Sequence, residues 1–164
     1  MIFGMTPFTF FHVVLSLIGI AAGLVVMTGL LESRLMPVWT KLFLVTTIAT
    51  TLTGFLFPFH GFTPAIGVGI LSTLVLALAL AARYTFHLAG IWRPVYVITT
   101  VIALYFNCFV LVVQSFLKVP PLHALAPNGN EPPFAIAQGV VLAAFLFFGY
   151  VSVKKFHPPA ITRA

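Results

Sequence analysis

Long apolar runs, separated by short polar or proline-containing segments, occupy almost the whole chain. Five of them approach or exceed the roughly 20 mostly apolar residues that a helix needs to cross a bilayer. They cover residues 8–31, 38–57, 64–82, 94–117 and 134–153. Each begins at or just after a proline, which suits a first helical turn because the N–H there has no partner anyway; these prolines are Pro7, Pro37, Pro64, Pro94 and Pro133.

The pattern therefore predicts an all-α, polytopic membrane protein: one transmembrane domain over residues 1–164, built as a bundle of five helices. Thr6 and Thr63 precede two of the runs and are expected to cap those helices. Most connections are short, so consecutive helices are expected to be antiparallel neighbours. The exception is residues 118–133, a proline-rich stretch expected to lie over one end of the bundle.

Basic residues predict the orientation in the membrane. The formal net charge is +6, and only eight Lys and Arg residues supply it. Lys118 would lie on one side and all the others on the opposite side: Arg34, Lys41, Arg83, Arg93, Lys154, Lys155 and Arg163. Because Lys and Arg concentrate in cytoplasmic loops, the N-terminus is expected outside and the C-terminus inside. Scattered basic residues of this kind do not indicate a nucleic-acid partner.

Composition narrows the possible functions. With 61% hydrophobic and 6% charged residues, the chain cannot cover a water-soluble globule, which carries about 25% charged residues. No segment is long enough for a soluble catalytic domain or a nucleotide-binding loop. The first apolar run lacks a basic leader and a small-residue cleavage site, so it is expected to be a retained helix. The lipid bilayer is therefore the first predicted partner.

Polar side chains within the predicted helices concentrate in the outer half of the membrane. Those expected to bind a cofactor there are His12, Ser16, His60, Asn107, Gln114 and Gln138. Residues four apart share a helix face, as His12 and Ser16 do. Polar side chains inside a membrane usually face the bundle interior. A polar pocket at the outer face is the resulting prediction.

Helix packing is the competing explanation for part of this polarity. Gly19 and Gly23 form a G-x-x-x-G pattern that lets helices approach closely, and threonines serve the same purpose. Packing accounts for Thr46, Thr50, Thr53 and Thr100 more readily than a ligand does. Asn107 and Gln114 are harder to explain this way, because a buried amide without a partner is costly.

Four residues of the outer face have the chemistry of metal ligands: His12, His60, His123 and Glu131. Imidazole nitrogens and a carboxylate would suit copper or zinc. A haem b would need two axial imidazoles, for which His12 and His60 lie at similar depth. Lys118 would be the only basic side chain at that face for the haem propionates.

Two further functions fit the same residues. A quinone would suit a phenylalanine-rich pocket with Gln and His hydrogen-bond partners. Alternatively, the protein is an accessory subunit of a larger membrane complex, or a homo-oligomer, and its polar residues only pack helices. A proton or ion path is disfavoured, because no acidic side chain lies within a span and the set of polar side chains stops halfway across the membrane. Whether the protein is an enzyme stays open; a hydrolytic triad lacks the acid that would orient His12.

Three segments, HVVLSLIGIAAG, TTIATTLTGFLFPFHGFTPAIGVG and FLKVPPLHALAP, resemble a group of small multi-pass proteins of bacterial inner membranes. The resemblance covers almost the whole chain and implies that membrane as the location. It brings no activity and no functional residue with it. The expectation is a small membrane subunit whose outer pocket holds a metal, haem or quinone in a redox context; the alternative is a structural or assembly subunit without a cofactor.

Overall fold

The computed structural model describes residues 6–58, 61 and 63–159, and every regular element in this part of the chain is helical. The helices are α1 (Pro7–Leu31), α2 (Pro37–Gly54), α3 (Pro64–Leu80), α4 (Trp92–Lys118), α5 (Pro120–Leu125) and α6 (Pro132–Lys155). One turn of π-helix, Ala81–Thr85, continues α3. The predicted all-α class is confirmed for the described residues.

Four of the described helices are long and apolar enough to cross a membrane: α1, α3 with its π-helical turn, α4 and α6. This indicates a multi-pass membrane protein. The helix α2 ends at Gly54 instead of the predicted Phe57 and is not among these four. Its 18 residues are enough for a span, but Lys41 and several threonines lower its mean hydropathy. It nevertheless packs along α1 more extensively than any other pair of helices packs.

The helix starts follow the predicted signals. Thr6 and Thr63 cap α1 and α3: their hydroxyls accept hydrogen bonds from the backbone N–H groups of Thr9 (3.2 Å) and Ile66 (3.4 Å). Helix α4 begins at Trp92, two residues before the predicted start, so Pro94 lies inside the first turn, where no N–H is required.

The proline-rich segment after α4 is partly helical. Its first half forms α5, which packs against α4. The Nδ1–H of His123 donates to the carbonyl oxygen of Phe116 at 3.3 Å, and the Phe116 ring meets Phe134 edge-on with centroids 5.5 Å apart. The segment is therefore held to the end of α4 and the start of α6.

Helices α1 and α4 are central in the bundle. Helix α1 contacts α2, α4 and α6, and helix α4 contacts α1, α3 and α6. Helix α1 meets α2 at Gly19–Thr46 and again at Gly23–Phe43, so the two helices are antiparallel. Helix α4 meets α6 at Val101–Gly149 and at Phe109–Gln138, so this pair is antiparallel as well. Sequential helices are therefore arranged up and down, as the short loops predict.

The buried core fills one end of the bundle, where α1 and α3 end and α2 and α4 begin; we call this the closed end. Its largest fully buried side chains include Phe43, Tyr96 and Phe156. Phe156 follows α6, and its carbonyl oxygen accepts a 2.5 Å hydrogen bond from the Arg93 guanidinium. Next to it, the backbone N–H of His157 donates to the Ser33 hydroxyl at 2.7 Å. The chain after α6 thus crosses the closed end and seals it.

Glycines on α1 set the distance between the central helices. A Cβ on Gly19 would lie 3.2 Å from the hydroxyls of both Thr46 and Thr47 on α2. A Cβ on Gly23 would lie 2.5 Å from Leu104 on α4 and 2.9 Å from the Phe43 ring on α2. Both of those side chains are almost completely buried and have no free space to move into. The G-x-x-x-G pattern is therefore the point at which three helices meet.

We expect Gly23→Ala to destabilise the protein by about 1–3 kcal/mol, because the added methyl overpacks a filled core. The matched control is Gly139→Ala on α6, since nothing lies within 4 Å of a Cβ at Gly139. There the same change should be neutral or slightly stabilising, because alanine favours a helix over glycine. Thermal unfolding midpoints in detergent measure both effects. Equal midpoints for the two variants would contradict the assignment of Gly23 as the crossing point.

Candidate functional site

A cavity of about 700 Å³ lies at the opposite end of the bundle, among α1, α2, α3 and α4. We call this end, where α1 and α3 begin and α2 and α4 end, the cavity end. The core residues of α1 and α2 and the core residues Leu76 and Ala79 of α3 lie deeper than the cavity, toward the closed end, and buried Ser72 of α3 lies at the cavity wall. The bundle is therefore packed over one half of its length and hollow in the other.

Aromatic and aliphatic side chains form most of the cavity wall. They come from α1, α3 and α4 and from the turn after α2; among them are Val13, Leu17, Phe55, Phe57, Ile66, Phe106 and Val110. The Phe57 ring also meets the His12 ring edge-on, with centroids 5.1 Å apart. An apolar wall of this kind suits a hydrocarbon ring or chain and excludes a strongly hydrated solute.

Four of the residues predicted to form a polar pocket line this cavity together. His12 and Ser16 come from α1, and Asn107 and Gln114 come from α4. The two helices are antiparallel and share the Gly23–Leu104 contact, which places residues before Gly23 on α1 beside residues after Leu104 on α4. The threonines Thr50 and Thr51 of α2 and Ser115 of α4 add further hydroxyls.

His12 is held in place by α2. Its Nδ1 lies 2.8 Å from the Thr53 hydroxyl oxygen, and its Cε1 is 3.6 Å from the position a Cβ would take on Gly54. The imidazole is therefore close to a small residue of α2, bonded to the Thr53 hydroxyl and in edge-on contact with the Phe57 ring. Its position is fixed before any ligand arrives.

The surroundings of Thr53 determine which nitrogen of His12 carries the proton. The Thr53 hydroxyl oxygen lies 2.7 Å from the Ala49 carbonyl oxygen and 3.1 Å from that of Thr50. Its single proton is therefore donated to the helix backbone, the usual arrangement for threonine inside a helix. The contact with His12 is then satisfied only if Nδ1–H donates to Thr53. This tautomer leaves Nε2 as a free acceptor, and no described residue bonds to it.

The amides on α4 keep hydrogen-bonding capacity toward the cavity. The Asn107 amide nitrogen donates to the Thr47 hydroxyl at 3.2 Å, which leaves its carbonyl oxygen without a partner among the described residues. The Gln114 side chain lines the cavity and makes no hydrogen bond within the described part of the chain. The cavity therefore presents both acceptors and donors on an otherwise apolar surface.

Gln138 and His123 lie away from the cavity. The Gln138 amide nitrogen donates to the Phe109 carbonyl at 3.2 Å, and its own oxygen is buried without a partner among described residues. This places Gln138 where α6 packs on α4, on the side of α4 that does not line the cavity. His123 is exposed on α5. The structure thus separates these two residues from His12.

Glu131 is engaged in the turn before α6. Its two carboxylate oxygens accept hydrogen bonds from the backbone N–H of Asn128 (3.0 Å), the Asn128 amide (2.8 Å) and the backbone N–H of Asn130 (3.1 Å). Desolvation acts to raise the pKa of Glu131, but these hydrogen bonds outweigh it and lower the pKa to about 2. Its oxygens are thus committed to holding the turn.

The predicted metal ligands are not brought together within the described residues. No group of three His, Cys, Asp or Glu side chains suited to a metal ion occurs in that part of the chain. His60, which the copper, zinc and haem hypotheses all require, lies outside the described residues. Those hypotheses therefore stay predictions.

The contribution of α3 is absent from the sequence prediction. Ala65, Ile66 and Gly69 line one side of the cavity, and the missing side chain at Gly69 makes room for the Phe55 ring, 2.9 Å from where a Cβ would be. The sequence signal for such a thin wall is the run of small residues at the start of α3, Pro64-Ala65-Ile66-Gly67-Val68-Gly69. Lys118 adds a positive charge to the lining.

We expect ¹⁵N chemical shifts of His12 to show a neutral imidazole protonated at Nδ1 in the purified protein. Thr53→Val removes the hydroxyl acceptor and should release the ring to a mixture of tautomers. Thr73→Val is the matched control, because the Thr73 hydroxyl also bonds a backbone carbonyl (Gly69, 2.9 Å) but is exposed on α3. An Nε2-protonated ring in the unaltered protein would contradict the assignment.

No protein-family model, curated protein or solved structure matches this chain. Functional assignment therefore depends on the chemistry of the cavity itself.

Proposed function

We propose that the protein is a small integral membrane subunit that binds a quinone or quinol in the cavity at the ends of α1–α4. The observation that carries this proposal is the combination, in one cavity, of an apolar wall with the free Nε2 of His12 and the amide of Gln114. A membrane-soluble aromatic ring with oxygen substituents matches both features. The polar atoms would orient the ring, and the wall would exclude water.

The size of the cavity supports this class of ligand. Its volume of about 700 Å³ falls within the range of roughly 300–1,000 Å³ typical of small-molecule sites. Phe55, Phe57 and Phe106 supply ring faces and edges against which an aromatic ring can pack. Because the wall belongs to helices embedded in lipid, a ligand that already partitions into the bilayer is favoured over a water-soluble one.

Hydrogen-bonding capacity favours the reduced form. The Nε2 of His12 accepts but does not donate in the tautomer that Thr53 imposes, so it matches the hydroxyl of a quinol. The Gln114 amide can donate to the second oxygen of the ring or accept from it. A quinone carbonyl would gain nothing from Nε2, and its affinity is expected to be lower.

Copper, zinc or haem b remains the second candidate for the same end of the bundle. A neutral imidazole with a free Nε2 is a competent metal ligand, so His12 could supply one coordination position. It would need His60 as a partner, since His123 lies on α5 and does not line the cavity, and the Glu131 carboxylate is bonded in its own turn. The quinol proposal requires no second histidine.

A role as an accessory subunit without a cofactor is the alternative of a different kind. Helix α6 favours it: its outward face exposes Ile136, Val140, Leu146, Phe147 and Tyr150, a surface open to lipid, to a larger complex or to a second copy. Under this alternative the cavity would be only a packing gap. Ligand binding distinguishes the two.

We further infer that α2 also crosses the membrane, giving five spans. The hydroxyls of Thr46, Thr50, Thr51 and Thr53 donate to backbone carbonyls three or four residues earlier. Their polarity is thus satisfied inside the helix, as apolar surroundings require. With five spans, the excess of Lys and Arg at the closed end favours a cytoplasmic closed end and an outer cavity end, in a bacterial inner membrane.

A reporter fused after Lys155 tests this topology. We expect cytoplasmic activity for that fusion and outer-side activity for a fusion after Pro127, in the segment between α5 and α6. Both fusions reporting the same side would exclude a crossing by α6. The reverse assignment would overturn the orientation.

Binding of a short-tailed benzoquinol to the detergent-purified protein tests the function. We expect His12→Ala to weaken binding about tenfold, the upper end for one hydrogen bond, and Gln114→Leu to weaken it a few-fold. Gln138→Leu is the matched control: it changes the same type of side chain outside the cavity and should leave affinity unchanged. Equilibrium titration followed by ligand-induced thermal shift measures all three.

The matching benzoquinone gives a second comparison. Its affinity should be lower than that of the quinol and nearly insensitive to His12→Ala, because it has no hydroxyl for Nε2. Absence of binding of either form to the unaltered protein would refute the proposal. Equal losses in the Gln114→Leu and Gln138→Leu variants would remove the cavity as the site.

A further inference from the structure

Arg83 points into the bundle at the closed end, far from the cavity. Its helix α3 and the following π-helical turn bury Ser72, Leu76, Ala79 and Arg83. These positions are spaced by four, three and four residues, the spacing of one helix face. Arg83 therefore occupies the core-facing stripe, and only 7% of its surface is exposed.

Two of the three guanidinium nitrogens of Arg83, Nε and Nη1, are fully buried and bond to no described residue. Two aromatic rings contact the guanidinium: its carbon lies 5.5 Å from the centroid of Tyr96 and 5.6 Å from that of Tyr84. Such contacts offset only part of the cost of burying a cation. The site is therefore incomplete without a negatively charged group that accepts hydrogen bonds from the guanidinium.

No acidic side chain of this chain supplies that charge. The sequence contains only two, Glu32 and Glu131. Glu32 is paired with Arg34 at 3.1 Å and is exposed, and Glu131 holds the turn before α6 at the other end of the bundle.

A second guanidinium lies in the same region. Arg93 bonds to the carbonyl oxygen of Phe156, and the Phe156 ring packs on Tyr96 with centroids 6.0 Å apart. Arg83 thus contacts one member of this aromatic pair and Arg93 bonds the backbone of the other, and neither arginine forms an ion pair within the described residues. Two like charges in this setting favour an anion from outside the chain.

We propose that Arg83, assisted by Arg93, binds a phosphate oxyanion at the closed end, as carried by an anionic phospholipid headgroup or by free phosphate. The planar fork of a guanidinium matches two phosphate oxygens and forms short, charge-assisted hydrogen bonds with them. Trp92, stacked on Phe86 at 3.8 Å, lies at the same level, where aromatic rings mark the boundary between lipid tails and headgroups. This site is independent of the quinol proposal.

Delipidated full-length protein in a zwitterionic detergent provides the test. Phosphatidylglycerol, phosphatidylcholine and inorganic phosphate are added separately, and bound lipid is counted by native mass spectrometry alongside the thermal unfolding midpoint. We expect phosphatidylglycerol to be retained and to raise the midpoint. Arg83→Gln should weaken this binding about tenfold, because it removes the positive charge. Arg83→Lys should have an effect of the same size, because it keeps the charge but removes the planar fork of guanidinium donors.

Arg34→Gln is the matched control, since Arg34 is an exposed, ion-paired arginine at the same end. It should bind phosphatidylglycerol as the unaltered protein does. A midpoint shift with inorganic phosphate as well would identify the oxyanion itself as sufficient, whereas a shift with phosphatidylglycerol alone would identify the headgroup.

Two results would overturn the proposal. One is an equal loss of binding in Arg34→Gln and Arg83→Gln, which would reduce the effect to surface charge. The other is an unaltered protein that responds to neither phosphatidylglycerol nor phosphate; this result does not depend on whether the Arg83 variants fold.

Discussion

The close approach of α1 to α2 and α4 at Gly19 and Gly23 determines the rest of the structure. At these two positions the absence of a side chain lets Thr46, Phe43 and Leu104 reach the backbone of α1. One and two turns earlier on the same face, α1 carries Ser16 and His12 instead. These two side chains line the cavity. Core and cavity wall are thus two parts of a single face of α1, which changes from glycine to polar side chains along its length.

Threonine on α2 connects packing with chemistry. Each threonine that returns its hydroxyl proton to the backbone is tolerated in apolar surroundings and keeps its oxygen lone pairs available. Thr53 is one of these, and its oxygen accepts from the His12 imidazole. The neighbouring Thr47 hydroxyl accepts from the Asn107 amide. The residues that look like simple packing in the sequence therefore orient the polar groups of the cavity. Packing and ligand binding are complementary explanations at this end of the bundle.

Helix positions were the most predictable feature of the chain, because hydropathy and proline both mark them. Depth within the membrane followed from the helix starts, and this is why His12, Ser16, Asn107 and Gln114 were predicted at one level and line one cavity. The positions of the helices relative to one another in the plane of the membrane could not be predicted in this way. Gln138 has the expected depth, but α6 packs on the side of α4 away from the cavity, and nothing in a helical pattern specifies which flank a fifth helix takes.

Local hydrogen bonding and burial explain the other differences. Asn128 and Asn130 donate hydrogen bonds to the Glu131 carboxylate oxygens, and these bonds compete with metal coordination. The residue type of Glu131 alone does not reveal them. Arg83 was predicted only as a basic residue at the inner boundary, whereas the stripe formed by Ser72, Leu76 and Ala79 places it in the core. The spacing was present in the sequence, and a count of acids against buried cations would have indicated the unpaired charge.

The sealed end of the bundle has a mechanical consequence for the hollow one. Phe156 and its neighbours pack the helices together at the closed end. A small tilt of the helices about the closed end would displace the cavity end most and leave the dense core undisturbed, since close-packed interiors resist deformation. The volume of the cavity should therefore respond to the lateral pressure of the surrounding bilayer, so that lipid composition affects the cavity without direct contact.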